Sequence, residues 1–342
     1  MRTMRTVVAT ALLLLLAIFL GPMLFLGGGP AAPEETEPLP TATLPIDRTA
    51  ITPGSDGSRL VRVKMGDGTV STLTLADYLW RVVAAEMPAS FETEALRAQA
   101  VTARTYTLYQ MSIGTNPNHP EADMCTDIAC CQAYLDPDQA AANWGDGASA
   151  YAAKITDAVA STDGQAIFYQ GELIDAVFFS SAAGRTLDSV EVWGGSVPYL
   201  TGVESPEGEE VPNYHTTVTV PLEEFRETFL AQYPQADLSG EPSEWFQHFQ
   251  PTSSGGVDTL EVGGIPVKGT ALRSLFGLRS AHFTVTTGED GVTFSVTGYG
   301  HGVGMSQYGA NAMAREGATW REILEHYYTG VTIAPLGTES GS

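Results

Sequence analysis

Basic side chains are scarce in this chain: 342 residues carry 17 Lys plus Arg against 40 Asp plus Glu, a formal charge of −23. Phosphate contact needs a basic face, so this balance argues against a nucleic-acid partner. It also disfavours anionic partners such as teichoic acids or lipid headgroups, and a neutral substrate fits better. Cysteine is nearly absent, and all three copies fall between Cys125 and Cys131. That is too few and too clustered for a disulfide framework, and marks one local site. No internal repeat and no second linker is visible. Charged residues amount to only 17% while hydrophobic ones reach 43%, which supplies a real core and rules out global disorder.

One long uncharged run is present. Val7 to Leu26 follows Arg2 and Arg5 without a single charge, and twenty residues of helix cross roughly 30 Å of hydrocarbon. A cleavable signal peptide is the competing reading, but its apolar region normally runs only about 7–15 residues. The upstream arginines orient the C-terminal bulk outward, which places the chain in the cell membrane as a single-pass protein with an extracytoplasmic domain. Residues 1–6 are then cytoplasmic and 7–26 the anchor. Residues 27–55, with three consecutive glycines, repeated prolines and three Glu, form a linker.

From residue 56 to 336 the pattern is that of a folded domain, with 337–342 as a tail. Leu60 to Leu73 alternates about Asp67-Gly68 as a hairpin. Thr74 with Asp77 opens a helix that Pro88 ends, and Ser90 is the expected N-cap of a second helix running to near Met111. Strand-like runs follow at 165–170, 173–179, 214–220, 257–262 and 281–297, with a helix at 222–233 and two short helices at the end. Strands and helices come in runs without βαβ alternation, so the predicted class is α+β with mostly antiparallel strands.

Tyr78, Val82 and Glu86 share one line of the first helix, so a carboxylate extends an apolar stripe. Burial and the negative end of the helix dipole both disfavour its ionisation and raise its pKa, the condition of a general acid. An ion pair with Arg104 on the next helix is the bland alternative. His119, Cys125, Cys130 and Cys131 offer four soft or borderline donors within thirteen residues. They suit a closed tetrahedral zinc site, against the alternative of a disulfide from Cys125 to either partner.

LADYLWRVVAAEMPASFETEALRAQAVTARTYTL at 75–108, FFSSAAGRTLDSVEVWGGSVPYL at 178–200, LRSLFGLRS at 272–280 and GHGVGMSQYGANAMAREG at 300–317 together resemble the stage II sporulation protein D (SpoIID) and amidase-enhancer (LytB) family. The resemblance implies a peptidoglycan lytic transglycosylase of the sporulation branch, with Glu86 as catalytic acid and base and Arg104 at the active site. It also implies that the loop from Gly300 to Gly309 lines the cleft, and that a structural zinc sits on the His/Cys cluster before Cys131-Gln132-Ala133-Tyr134. Where some relatives place a second His, this chain has Cys130. A single carboxylate suffices if the 6-hydroxyl of N-acetylmuramic acid is the nucleophile; Asp188 and Glu191 are the candidates for a second acid, with loop carboxylates the plainer reading. Expected substrate contacts are Arg104, Gln99, His301, Ser306, Gln307 and Tyr308, with a loop-ordering role for His301 and core packing for Tyr308 as alternatives. Phe179, Ala182 and Ala183 depart from the family's usual form, which weakens contacts ascribed to that stretch. Implied partners are peptide-stripped glycan strands, a cell-wall amidase and engulfment membrane proteins.

Overall fold

The structure is a computed structural model that describes residues 55–337. The expected anchor at 7–26, the linker up to residue 54 and the last five residues lie outside the described residues. No helix among the described residues is long and apolar enough to cross a membrane.

Strands β1 (Leu60–Lys64) and β2 (Val70–Thr74) pair antiparallel. Val61 and Val63 face inward, while Leu60 and Arg62 face out, as the alternation requires. Thr74 then caps helix α1 (Leu75–Glu86), its hydroxyl accepting from Asp77 N at 3.0 Å. Helix α2 (Thr93–Ile113) starts after Glu92, two residues later than expected. Ser90 is not its cap, because Phe91 N turns back to Pro88 O and Glu92 N is bonded by Asn311 Oδ1. Most of the α2 positions from Ala95 to Thr107 are buried, making it the axis of the larger core.

Sequence periodicity missed two helices, α3 (Pro137–Trp144) and α4 (Ala148–Ala160); α4 packs on that axis, and α3 packs on α4 and α1. Their alanine-rich faces carry little hydrophobic contrast, although Asp136 and Gln139 form a capping box at the start of α3. Strand β3 (Gln165–Tyr169) turns through Gln170 and Gly171, both at positive φ, as a tight hairpin requires. A short strand, β4 (Phe178–Phe179), lies parallel to β5 (Met305–Ser306) and brings two segments 127 residues apart to one place.

A second, smaller core is built wholly from residues 218–296 around Phe225, Trp245, Leu260 and Phe294. It holds two three-stranded antiparallel sheets, one of which contains 215–220, 283–288 and 291–297. The described chain is therefore α+β with mainly antiparallel strands, and its second core is inserted between the parts of the first. Helices α5 (Gln307–Arg315) and α6 (Trp320–Tyr327) close the chain. Tyr327 and Tyr328 are fully buried core residues.

Candidate active site and metal-binding cluster

Glu86 is the last residue of α1, half-buried in the wall of a cleft of about 510 Å³, within the roughly 300–1,000 Å³ typical of ligand sites. Its Oε1 accepts from Ala133 N at 2.7 Å and its Oε2 from Gln307 Nε2 at 3.0 Å. Burial raises its pKa above the ordinary value, and these two hydrogen bonds oppose that rise without cancelling it. The alternative ion pair with Arg104 does not form. Glu86 is the only carboxylate among the described residues that line the cleft; Tyr106, Cys130, Arg273, Tyr299 and His301 share it.

Two loops carry the groups that hold Glu86. Gln307 is placed by the N-terminus of α5, where Ser306 caps the helix by accepting from Gly309 N. Ser306 Oγ also donates to the buried carboxylate of Glu207, whose other oxygen accepts from Ser205 Oγ. The loop before it needs its glycines. A Cβ on Gly304 would fall 2.2 Å from Val177 O, and one on Gly300 2.6 Å from Phe179 Cβ, both at positive φ. Ala133 is placed by the segment that follows the cysteines. Gln132 Nε2 in that segment donates to Thr107 Oγ1 at 3.1 Å, and Leu135 N to Arg81 O.

The remaining expected contacts divide. His301 lines the cleft, yet both ring nitrogens are used: Nε2 lies 3.0 Å from Phe178 O and Nδ1 accepts from Val303 N. Burial, together with the charge of Arg273, pushes its pKa down to about 4, so it orders the loop as a neutral ring. Ser306 is fully buried and serves as a cap. Tyr308 packs edge-on against Phe91 at 4.9 Å, the packing role.

Gln99 and Arg104 are both fully buried in α2 and neither reaches the cleft. Arg104 instead pairs with Asp56, Nη2 to Oδ2 at 2.6 Å, and donates to the carbonyls of Val159 and Gln165. The expectation that it lies at the active site fails because a buried guanidinium takes the nearest buried carboxylate, here at the very start of the described chain. Asp188 and Glu191 form a helix capping box, and Glu191 also accepts from Ser253 N and Oγ. They are structural carboxylates.

His119, Cys125, Cys130 and Cys131 bring their donor atoms within 4.8 Å of one another and could hold a metal ion. All three cysteines are free, so the disulfide alternative is not formed. The donor set fits a cation: His119 Nδ1 lies 3.1 Å from Ala122 O, which directs Nε2 toward Cys131 Sγ at 3.3 Å. Cys125 N donates to Cys131 Sγ, and the side-chain amides of Asn116 and Asn118 to Cys130 Sγ, contacts suited to thiolates.

Removing the Gln307 amide tests the electrostatics directly. Gln307→Ala takes away a donor that favours the carboxylate, so the pKa of Glu86 is expected to rise further. Side-chain NMR titration of Glu86 in both proteins reads it, and an unchanged or lower value contradicts the assigned contact.

A family model described as "SpoIID: Stage II sporulation protein" matches residues 64–169. The chain is 34% identical over 303 residues to "Stage II sporulation protein D" of Bacillus subtilis (strain 168), covering 89% of this chain and 87% of the relative. It is 36% identical over 266 residues to the protein of the same name from Bacillus amyloliquefaciens, covering 78% and 76%. A more distant similarity, 28% over 300 residues, is to "Amidase enhancer" of Bacillus subtilis (strain 168), covering 74% of this chain and 39% of that protein.

Proposed function

The chain belongs to the stage II sporulation protein D family, and on that footing we propose that it is a peptidoglycan lytic transglycosylase with Glu86 as its one catalytic acid and base. The observation that carries this reading is the lone carboxyl among the described residues of the cleft wall, its pKa raised by burial and its two oxygens held by two N–H donors. Most glycosidases that use water or a covalent intermediate employ a second carboxylate. A single one suits a nucleophile that comes from the substrate.

In the proposed reaction Glu86 gives its proton to the glycosidic oxygen as the bond from C1 of N-acetylmuramic acid to that oxygen breaks. The 6-hydroxyl of the same ring then bonds to C1 and returns its proton to the Glu86 carboxylate. The products are a 1,6-anhydro end and a free 4-hydroxyl on N-acetylglucosamine, with no water consumed. Attack from within the ring profits from a tethered nucleophile. Ala133 N–H and the Gln307 amide stabilise the carboxylate that exists between the two proton transfers.

Activity should fall as pH rises through the folded pKa of Glu86, because the first step requires the acid form; the raised pKa places that limb above the ordinary 4.5. Incubating the protein with peptide-stripped glycan strands and weighing the product ends by mass spectrometry tests the reaction. Anhydro ends support it, reducing ends reject it in favour of hydrolysis, and intact strands favour a second reading. In that reading the chain binds glycan and stimulates an N-acetylmuramoyl-L-alanine amidase, as the name of the 28%-identical relative suggests. The proposed setting is wall remodelling during sporulation engulfment, beside an amidase and other engulfment membrane proteins, with the chain anchored in the membrane and this domain outside the cytoplasm.

The metal proposed for His119, Cys125, Cys130 and Cys131 is zinc. Bound there, it would fill all four positions with protein donors and act structurally, tying the segment that presents Ala133 N to Glu86. Chelation, or Cys131→Ser, is expected to lower Tm by several degrees, at about 2–4 °C for each kcal/mol lost. Elemental analysis should give one zinc per wild-type chain and none in the variant. Purified wild type without zinc under reducing conditions would remove the metal from this account.

A further inference from the structure

In a chain so acidic, arginines find partners. Arg62, Arg81, Arg97, Arg104, Arg185 and Arg226 each make an ion pair with Asp or Glu. Arg273, on the cleft with Glu86, makes none among the described residues. It stands in the last turn of the helix Gly269–Leu275 and is half-buried. Its Nε donates to Arg279 O at 3.2 Å, and that same carbonyl accepts from Gly300 N at 2.9 Å, so the guanidinium is tied to the cleft loop. The guanidinium carbon of Arg279 lies over Tyr299, 3.9 Å from the ring centroid, and no ion pair neutralises it among the described residues. His301, beside them, is neutral. The cleft thus carries local positive charge although the protein carries −23, and the Nη1 and Nη2 groups of Arg273 form a planar fork without an acid in it.

Such a fork matches a carboxylate, which it binds through two parallel hydrogen bonds. On a glycan strand of alternating N-acetylglucosamine and N-acetylmuramic acid, the one carboxyl is that of the lactyl ether. It is an uncharged amide while a stem peptide is attached and a free carboxylate once the peptide has been removed. Resting on the glycan reading above, we infer that Arg273 binds the free lactyl carboxylate of N-acetylmuramic acid and is the side chain that reads its charge.

Amidating the lactyl carboxylates with ammonia changes one atom class and removes the charge, leaving the sugar backbone and the bulk of the group almost unaltered. Binding of the full chain to stripped strands and to the same strands amidated can be compared in Glu86→Gln protein, where turnover does not interfere, and the cleavage rates in wild type. Preference for the carboxylate form is expected to be about tenfold to a hundredfold, the size of a charge-assisted hydrogen-bond pair, and to shrink with added salt. Arg273→Gln should bring that ratio close to one, and Arg273→Lys should keep part of it. Equal binding of the two forms by the Glu86→Gln chain, or a ratio undiminished in a folded Arg273→Gln, overturns the inference. If Arg273→Gln does not fold, the comparison of the two strand forms still decides. Discriminating binding without cleavage leaves the inference standing and removes the lyase reaction; cleavage without discrimination does the reverse; no binding to either form removes the glycan reading and this inference together.

Discussion

Glu86→Gln is expected to lower cleavage of peptide-stripped strands by about 10³- to 10⁴-fold, the upper part of the range for general acid and base catalysis, because one group fills both roles. The substitution keeps the side chain's size and an acceptor for Ala133 N, and Gln307 can turn its carbonyl toward the new amide. Loss of activity should therefore come without loss of structure. The stability effect has a definite sign. Glu86 has its folded pKa raised, so between the unfolded and folded values the native state holds more protons than the unfolded chain. Stability falls as pH rises through that window, and the full penalty of the buried charge is present above it. Gln carries no such penalty, so the variant should be at least as stable as wild type at neutral pH. Measuring product formation and thermal melting side by side separates the two effects. Activity within tenfold of wild type would remove Glu86 as the catalytic group.

Arg104→Ala and Asp56→Ala should each destabilise the protein by about 3–5 kcal/mol, since either change leaves a buried ion without its partner. Both side chains are essentially inaccessible, and the guanidinium also satisfies the carbonyls of Val159 and Gln165. Replacing both residues together with apolar ones of similar volume should recover much of the loss, a recovery that denaturant melts of the single and double variants would register. Catalysis provides the contrast. If Arg104 touched substrate, the double variant would stay inactive after regaining its fold; the burial seen here predicts that activity returns with stability. Full stability of Arg104→Ala with activity lost would restore the role that the motif had suggested for it.

The difference between these two residues explains what could be read in advance. Glu86 was legible because it continues the buried stripe of Tyr78 and Val82 on its own helix, and helical periodicity exposes that stripe; its hydrogen-bond partners Ala133 and Gln307 lie far away in the chain. The hairpin of residues 60–74 and the cap at Thr74 were legible because each is settled within a few neighbouring residues. Arg104 has its partner 48 residues away, in a stretch whose composition resembles a linker. Ala133 could not be found at all, because it acts through a backbone N–H that any residue but proline would supply. Arg273 lay inside a segment singled out for resemblance, but its lack of an acid partner is a property of three-dimensional neighbours.

By itself, then, the sequence determined the class of fold and the family, and it singled out Glu86 and the four clustered His and Cys donors, since periodicity, capping chemistry and close spacing are short-range and survive in one dimension. Only the tertiary structure decided which charged groups face the cleft and which face each other inside the protein. Coulomb energy and desolvation depend on distance and burial in space. In this molecule those distances join residues 86, 133, 273 and 307, which the chain keeps far apart.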